Sequence, residues 1–131
     1  MSALEEFGGY RKARELFDLV VVDMEKVRDH PLCRRLVGQQ VASADSICSN
    51  IEEGFGRLSR TESIRFLDIS RGSARETRGR YQRMTRWLEP SVVETRLALL
   101  DEVIGILTAT IQTLRANNPL REDSPAYPSD L

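Results

Sequence analysis

Lysine, histidine, cysteine and proline are all scarce in this chain, and no stretch of useful length alternates like a β-strand. The only lysines are Lys12 and Lys26, so nearly all the positive charge is arginine, which favours planar, paired contacts over the solvated point charge of lysine. One histidine, His30, is too few for the two Glu-x-x-His pairs of a di-metal bundle, and its place at a helix junction does not suggest the base of a nucleophilic triad. His30 falls at a helix junction and reads as a helix-start residue. No catalytic group, cofactor or metal is expected, and the chain is not read as an enzyme. Cys33 and Cys48 would lie about 22 Å apart on one helix at about 1.5 Å per residue. A disulfide needs Cα atoms within about 7 Å, so an internal bridge is excluded and two buried thiols fit a reducing cytoplasm. The opening MSALEEFGGYRKARELF lacks the apolar core of a signal peptide. No apolar run approaches the ~20 residues a bilayer crossing takes, so no membrane partner and a cytoplasmic location are expected. A net charge of −1 gives no whole-chain field to hold nucleic acid.

Apolar residues form 40% of the 131, enough for the core of one domain. Between the prolines they recur at helical spacing. The segment Phe7 to Asp29 carries a stripe of Ala13, Leu16, Phe17, Val20, Met24 and Val27, with Leu19, Val21 and Val22 beyond it. The segment Pro31 to Glu53 carries Leu32, Leu36, Ala44, Ile47 and Ile51, and its middle is small and polar at Ser43, Ala44 and Ser46. Thr61 to Leu88 carries Leu67, Ser70, Ala74, Thr77, Tyr81, Met84 and Leu88, again small in the middle. The two small-residue stretches are expected to face each other. Val92 to Ala116 carries Val93, Leu97, Leu100, Ile104, Leu107, Ile111 and Leu114, and beside it a second stripe of Val92, Leu99, Val103 and Ile106. Two stripes mean burial of more than one face, and the second is read as an oligomer interface. The expected fold is all-α, an up-down antiparallel four-helix bundle over residues 1–116, followed by a flexible tail over residues 117–131, NNPLREDSPAYPSDL.

The densest stretch is NIEEGFGRLSRTE, residues 50–62. It reads as stop, turn and start: Gly54 as a C-cap of positive φ, Gly56 letting the chain turn back, and Ser59 with Glu62 as a capping box. Ser91 and Glu94 repeat that device after Pro90. A phosphate cradle would want GxGxxG after a strand, whereas here a helix comes first. Glu52 and Glu53 are adjacent and point about 100° apart on a helix, so they cannot share a site. Asn50 and Glu53 share a face and suggest a polar network with Arg57. On the third segment Arg71, Arg75, Arg78 and Arg86 fall on one face, the best local basic patch. Arg80 sits on the shoulder of the apolar stripe and should have an acidic partner, with Glu62 and Glu76 the candidates.

The same residues carry a family resemblance. SICSNIEEGFGRLSRTESIRFLDISRGSARET, residues 46–77, resembles the signature of the bacterial 23S rRNA-intervening-sequence proteins. Its pattern runs S-I-P-x-N-I-A-E-G-x-G-R-x-S-x-x-E, then F-L-x-I-A-x-G-S-x-x-E. Ser46, Ile47, Asn50, Ile51, Glu53, Gly54, Gly56, Arg57, Ser59 and Glu62 match, as do Phe66, Leu67, Ile69, Gly72, Ser73 and Glu76. Cys48 stands at the pattern's proline and Glu52 at its alanine, and Val41 and Ala42 stand where an arginine pair is usual. The resemblance implies a four-helix bundle assembling into a homopentameric ring, with no catalytic residues. It extends to the pentameric accessory proteins of diversity-generating retroelements, which bind a reverse transcriptase and nucleic acid. The expected function is a non-enzymatic oligomeric scaffold. The alternative is a nucleic-acid-binding accessory protein using the arginine face, which the loss of the arginine pair disfavours.

Overall fold

The computed structural model describes residues 2–117, and its regular structure is helical throughout, with no strand among the described residues. The tail expected over 117–131 lies, from residue 118 on, outside the described residues. Helix α1 spans Ala3–Glu6, α2 Gly8–Val27, α3 Arg34–Phe55, α4 Arg60–Arg83 and α5 Pro90–Ala116, with a 3-10 turn at Pro31–Cys33 before α3. Helix α1 was not anticipated, although Ser2 and Glu5 form the reciprocal capping box that starts it. His30 does start the 3-10 turn, its Nδ1 accepting from the Leu32 amide at 3.1 Å. Pro31 therefore opens that turn and not the α-helix itself.

The helix ends differ from expectation in two further ways. No residue in the described chain has positive φ, so Gly54 is not a C-cap; it lies one residue inside α3 and is buried. A Cβ there would meet the Ser63 carbonyl oxygen at 3.3 Å and Leu67 Cδ2 at 3.4 Å. Glycine at 54 lets α3 and α4 close on each other, and Ser63 Oγ donates to the Gly54 carbonyl at 2.7 Å. Helix α5 begins at Pro90 with Glu89 as N-cap and no side-chain cap bond, so Ser91 is inside the helix and caps nothing. Pro90 itself supplies the preset φ of a first turn. Ser59 does cap α4, accepting from the Glu62 amide at 3.3 Å.

The long helices form a bundle around one core. Along α3 and α4, paired positions run 40 with 77, 46 with 73, 47 with 70 and 54 with 63. Across α4 and α5 they run 71 with 108 and 78 with 101, and across α2 and α5, 12 with 102 and 23 with 96. Because α5 packs on both α2 and α4, its two apolar stripes are both needed inside one protomer. Leu99 and Val103, read from sequence as interface, are 8% and 0% exposed and belong to the core. Val92 and Ile106 of the same set are only partly buried. On α2, Leu19 packs against the core, whereas Val22 remains 47% exposed. By length and composition α5 reaches what a membrane crossing requires, contrary to the expectation that no run comes near it.

Candidate functional site

Small side chains in the middle of α3 and α4 bring the two backbones close, and the hydroxyls among them fill the seam. Ser70 Oγ donates to the Ile47 carbonyl at 2.7 Å. Ser43 Oγ and Thr77 Oγ1 lie 2.7 Å apart, and Ser73 Oγ donates to Ser46 Oγ at 2.9 Å. Gln40, fully buried, donates from Nε2 to the Thr77 carbonyl at 2.9 Å. The two small-residue stretches do face each other, and every contact just named crosses from one helix to the other. A buried hydroxyl left unpaired costs about 1–3 kcal/mol, so the seam fixes one rotation and one register of α3 against α4.

Arg80 lies at the edge of this seam and is 8% exposed. Its Nη1 donates to Gln40 Oε1 at 2.8 Å, Ser43 Oγ at 3.0 Å and the Gln39 carbonyl at 3.4 Å. These acceptors are all neutral, so neither Glu62 nor Glu76 is its partner. Glu62 sits at the N-terminal cap of α4, nearly five turns away. Burial, then the neighbouring Arg83 charge, pulls the Arg80 guanidinium below its usual basicity, and Glu76 opposes them.

The opposite arrangement occurs on the far side of α4. Asp23, fully buried on α2, accepts from Arg96 Nε at 2.8 Å, Arg96 Nη2 at 3.0 Å and the Tyr81 hydroxyl at 2.6 Å. The Asp23 hydrogen bond raises the Arg96 guanidinium further, and burial, with Asp23 second, raises the Tyr81 phenol. This triad was missed in the sequence, yet Asp23 stands directly in the apolar stripe between Val20 and Met24, which was the available signal.

The basic face is divided. Arg71 donates to Asp68 at 2.6 Å and to Thr108 Oγ1 at 3.1 Å, and Arg78 holds both Asp101 oxygens at 2.7 and 3.3 Å. Arg75 and Arg86 are exposed. Two of the four arginines thus already have partners, Asp68 on α4 itself and Thr108 and Asp101 on α5. The Asn50–Glu53–Arg57 network does not form: Asn50 donates to the Ser46 carbonyl and hydroxyl at 2.8 and 2.9 Å, while Glu53 and Arg57 make a separate exposed pair at 3.2 Å. Gly56 ends α3 with φ near −84°, so the turn back needs no glycine-only backbone. Phe7 and Phe55 stack at 5.0 Å beside that turn, and Leu58 is fully exposed.

Cys33 and Cys48 are buried free thiols. Burial pushes Cys48 up to about 12 and also raises Cys33, which keeps both protonated and unreactive near neutrality. Among the described residues, no three His, Cys, Asp or Glu side chains converge as a metal site would require.

A family model described as 23S rRNA-intervening sequence protein matches residues 5–109. No curated protein matches. Among solved structures, the chain is similar to a crystal structure from Bacteroides thetaiotaomicron VPI-5482 described as a protein of unknown function from the S23 ribosomal protein family. The two are 22% identical with a TM-score of 0.75, over 79% of this chain and 98% of that one. At that identity the likeness concerns the fold alone.

Proposed function

The chain belongs to the 23S rRNA-intervening sequence protein family, and on that premise we propose that it is a non-enzymatic scaffold, an up-down antiparallel four-helix bundle that self-associates as a homopentameric ring in the cytoplasm. The number five comes from the family resemblance. Association itself rests on one observation, the outward face of α5. Only 28% of the most apolar 18-residue stretch of that helix is buried, and Ala98, Gly105 and Ala109 line its exposed side. A Cβ added at Gly105 would have nothing within 4 Å. The narrow strip of these small residues, edged by the paired Asp101 and Glu102, is shallow enough for the close approach of a second helix.

A bilayer is a poorer occupant for that face. Asp101 and Glu102 sit in the middle of α5 and pair with Arg78 and Lys12 of the flanking helices at 2.7 Å each; a charge at bilayer depth costs about 2.5 kcal/mol or more. The nucleic-acid reading is weakened by the same pairing, since Arg71 and Arg78 already have partners.

Replacing Gly105 by Arg separates these readings. The Cβ of the new side chain meets nothing within 4 Å inside the protomer, and the change removes a helix-weakening glycine, worth about 1 kcal/mol. Gel filtration with light scattering should show the assembly reduced to single protomers, with the helical circular dichroism unchanged. An intact assembly in that variant would refute the α5 contact.

A further inference from the structure

The groove between α3 and α4 opens over Arg80, with about 390 Å³ of space bounded by Gln39, Ser43, Ser46, Ser73 and Glu76. Among the described residues, the hydrogen bonds of Arg80 all leave from Nη1, and its buried Nε has no acceptor. A guanidinium offers Nε–H and one Nη2–H as a parallel fork that matches the two oxygens of a carboxylate or phosphate. The edge of Arg80 left without partners has the shape of an oxyanion fork, with Nε enclosed and Nη2 the first point of approach. Ser46 adds a donor beside it: its Oγ accepts from Asn50 Nδ2 and from Ser73 Oγ, both at 2.9 Å, which leaves its own proton unengaged.

The groove is lined by one cation, Arg80, and one carboxylate, Glu76. Arg80 and Arg83 stand against one carboxylate, Glu76, which is exposed and engaged in no hydrogen bond or ion pair among the described residues. A buried cation surrounded by neutral groups lacks the counter-charge that makes such burial favourable. We propose that this groove is a binding site for an oxyanion group, carboxylate or phosphate, seated on the Nε/Nη2 edge of Arg80 with the Ser46 hydroxyl as second donor. Glu76, one helical turn before Arg80, forms the rim, and its like charge opposes the ligand. The site is complete within one protomer, so it stands whether or not the chain assembles.

The test follows the Arg80 Nε–Hε resonance by NMR, assigned with an Arg80→Lys variant, at constant ionic strength. Sodium acetate and sodium phosphate are titrated separately, with chloride as control. A saturable displacement by acetate or phosphate and not by chloride, tightened severalfold in Glu76→Gln, supports the site; the tighter of the two anions tells a carboxylate ligand from a phosphate. A resonance unmoved by both anions in wild type and in Glu76→Gln overturns it. So does a displacement that follows protein concentration without added anion, which would assign the edge to a second copy. Loss of the anion response in Glu76→Gln also overturns it, because the carboxylate would then be part of the seat.

Discussion

Two buried charges flank α4, and they are handled in opposite ways. Asp23 meets one edge of a guanidinium with both its oxygens and a phenol with one of them, all from its own chain. Arg80 meets an amide oxygen, a hydroxyl and a backbone carbonyl, and keeps an unpaired N–H. The first cluster is closed and binds α2, α4 and α5 into one unit. The second is open, faces a groove and binds α3 to α4 mostly through neutral hydrogen bonds. Closed clusters carry stability, whereas an unfinished one is where an outside group can be recognised.

The largest effect should come from breaking the closed cluster. Asp23→Ala strands the Arg96 guanidinium in a site where 14% of its side chain is exposed, and removing one partner of a buried pair costs about 3–5 kcal/mol; urea unfolding should show that loss. A smaller effect should appear with pH. Tyr81 and Cys48 are both held protonated by burial. An acid whose folded pKa is raised keeps its proton after the unfolded chain has lost it. Stability should stay level up to the unfolded thiol value near 8.5 and fall as pH rises above it, by about 1.4 kcal/mol per pH unit for each group titrating. For Cys48 the fall continues to about pH 12. Tyr81→Phe should remove the part that begins near pH 10, leaving the thiol's share. The smallest effect should come from Arg80→Met. No opposite charge is stranded, an apolar side chain of similar length fills the space, and the main loss is the donor to Gln40 Oε1, about 1–3 kcal/mol. A cost for Arg80→Met equal to that of Asp23→Ala would erase the contrast between the two sites.

Helical spacing made the element order legible, because Pro31, the glycine-serine stretch over residues 54–59 and Pro90 interrupt a 3.6-residue repeat. The facing of Ser43 and Ser46 with Thr77 and Ser73 was legible too, since two helices thin at the middle can approach only there. The role of Gly54 was not, because its lack of a side chain answers to where α4 crosses, and a local sequence cannot say that. Nor was the partner of Arg80: periodicity places it on a shoulder but not opposite Gln40 and Ser43, which depends on how α3 is rotated. The second stripe of α5 was misread for a related reason. Stripe width counts how many surfaces a helix must meet, and α5 packs on both α2 and α4, which buries Leu99 and Val103 in the core of one protomer. The surface α5 leaves for a second copy is that of its small outward residues, Ala98, Gly105 and Ala109.

Sedimentation equilibrium of the wild-type protein over a wide range of loading concentrations tests that association most directly. The account predicts a stable mass that is a multiple of the 14.9 kDa chain, five-fold if the ring follows the family resemblance. A mass of one chain at every concentration would contradict it.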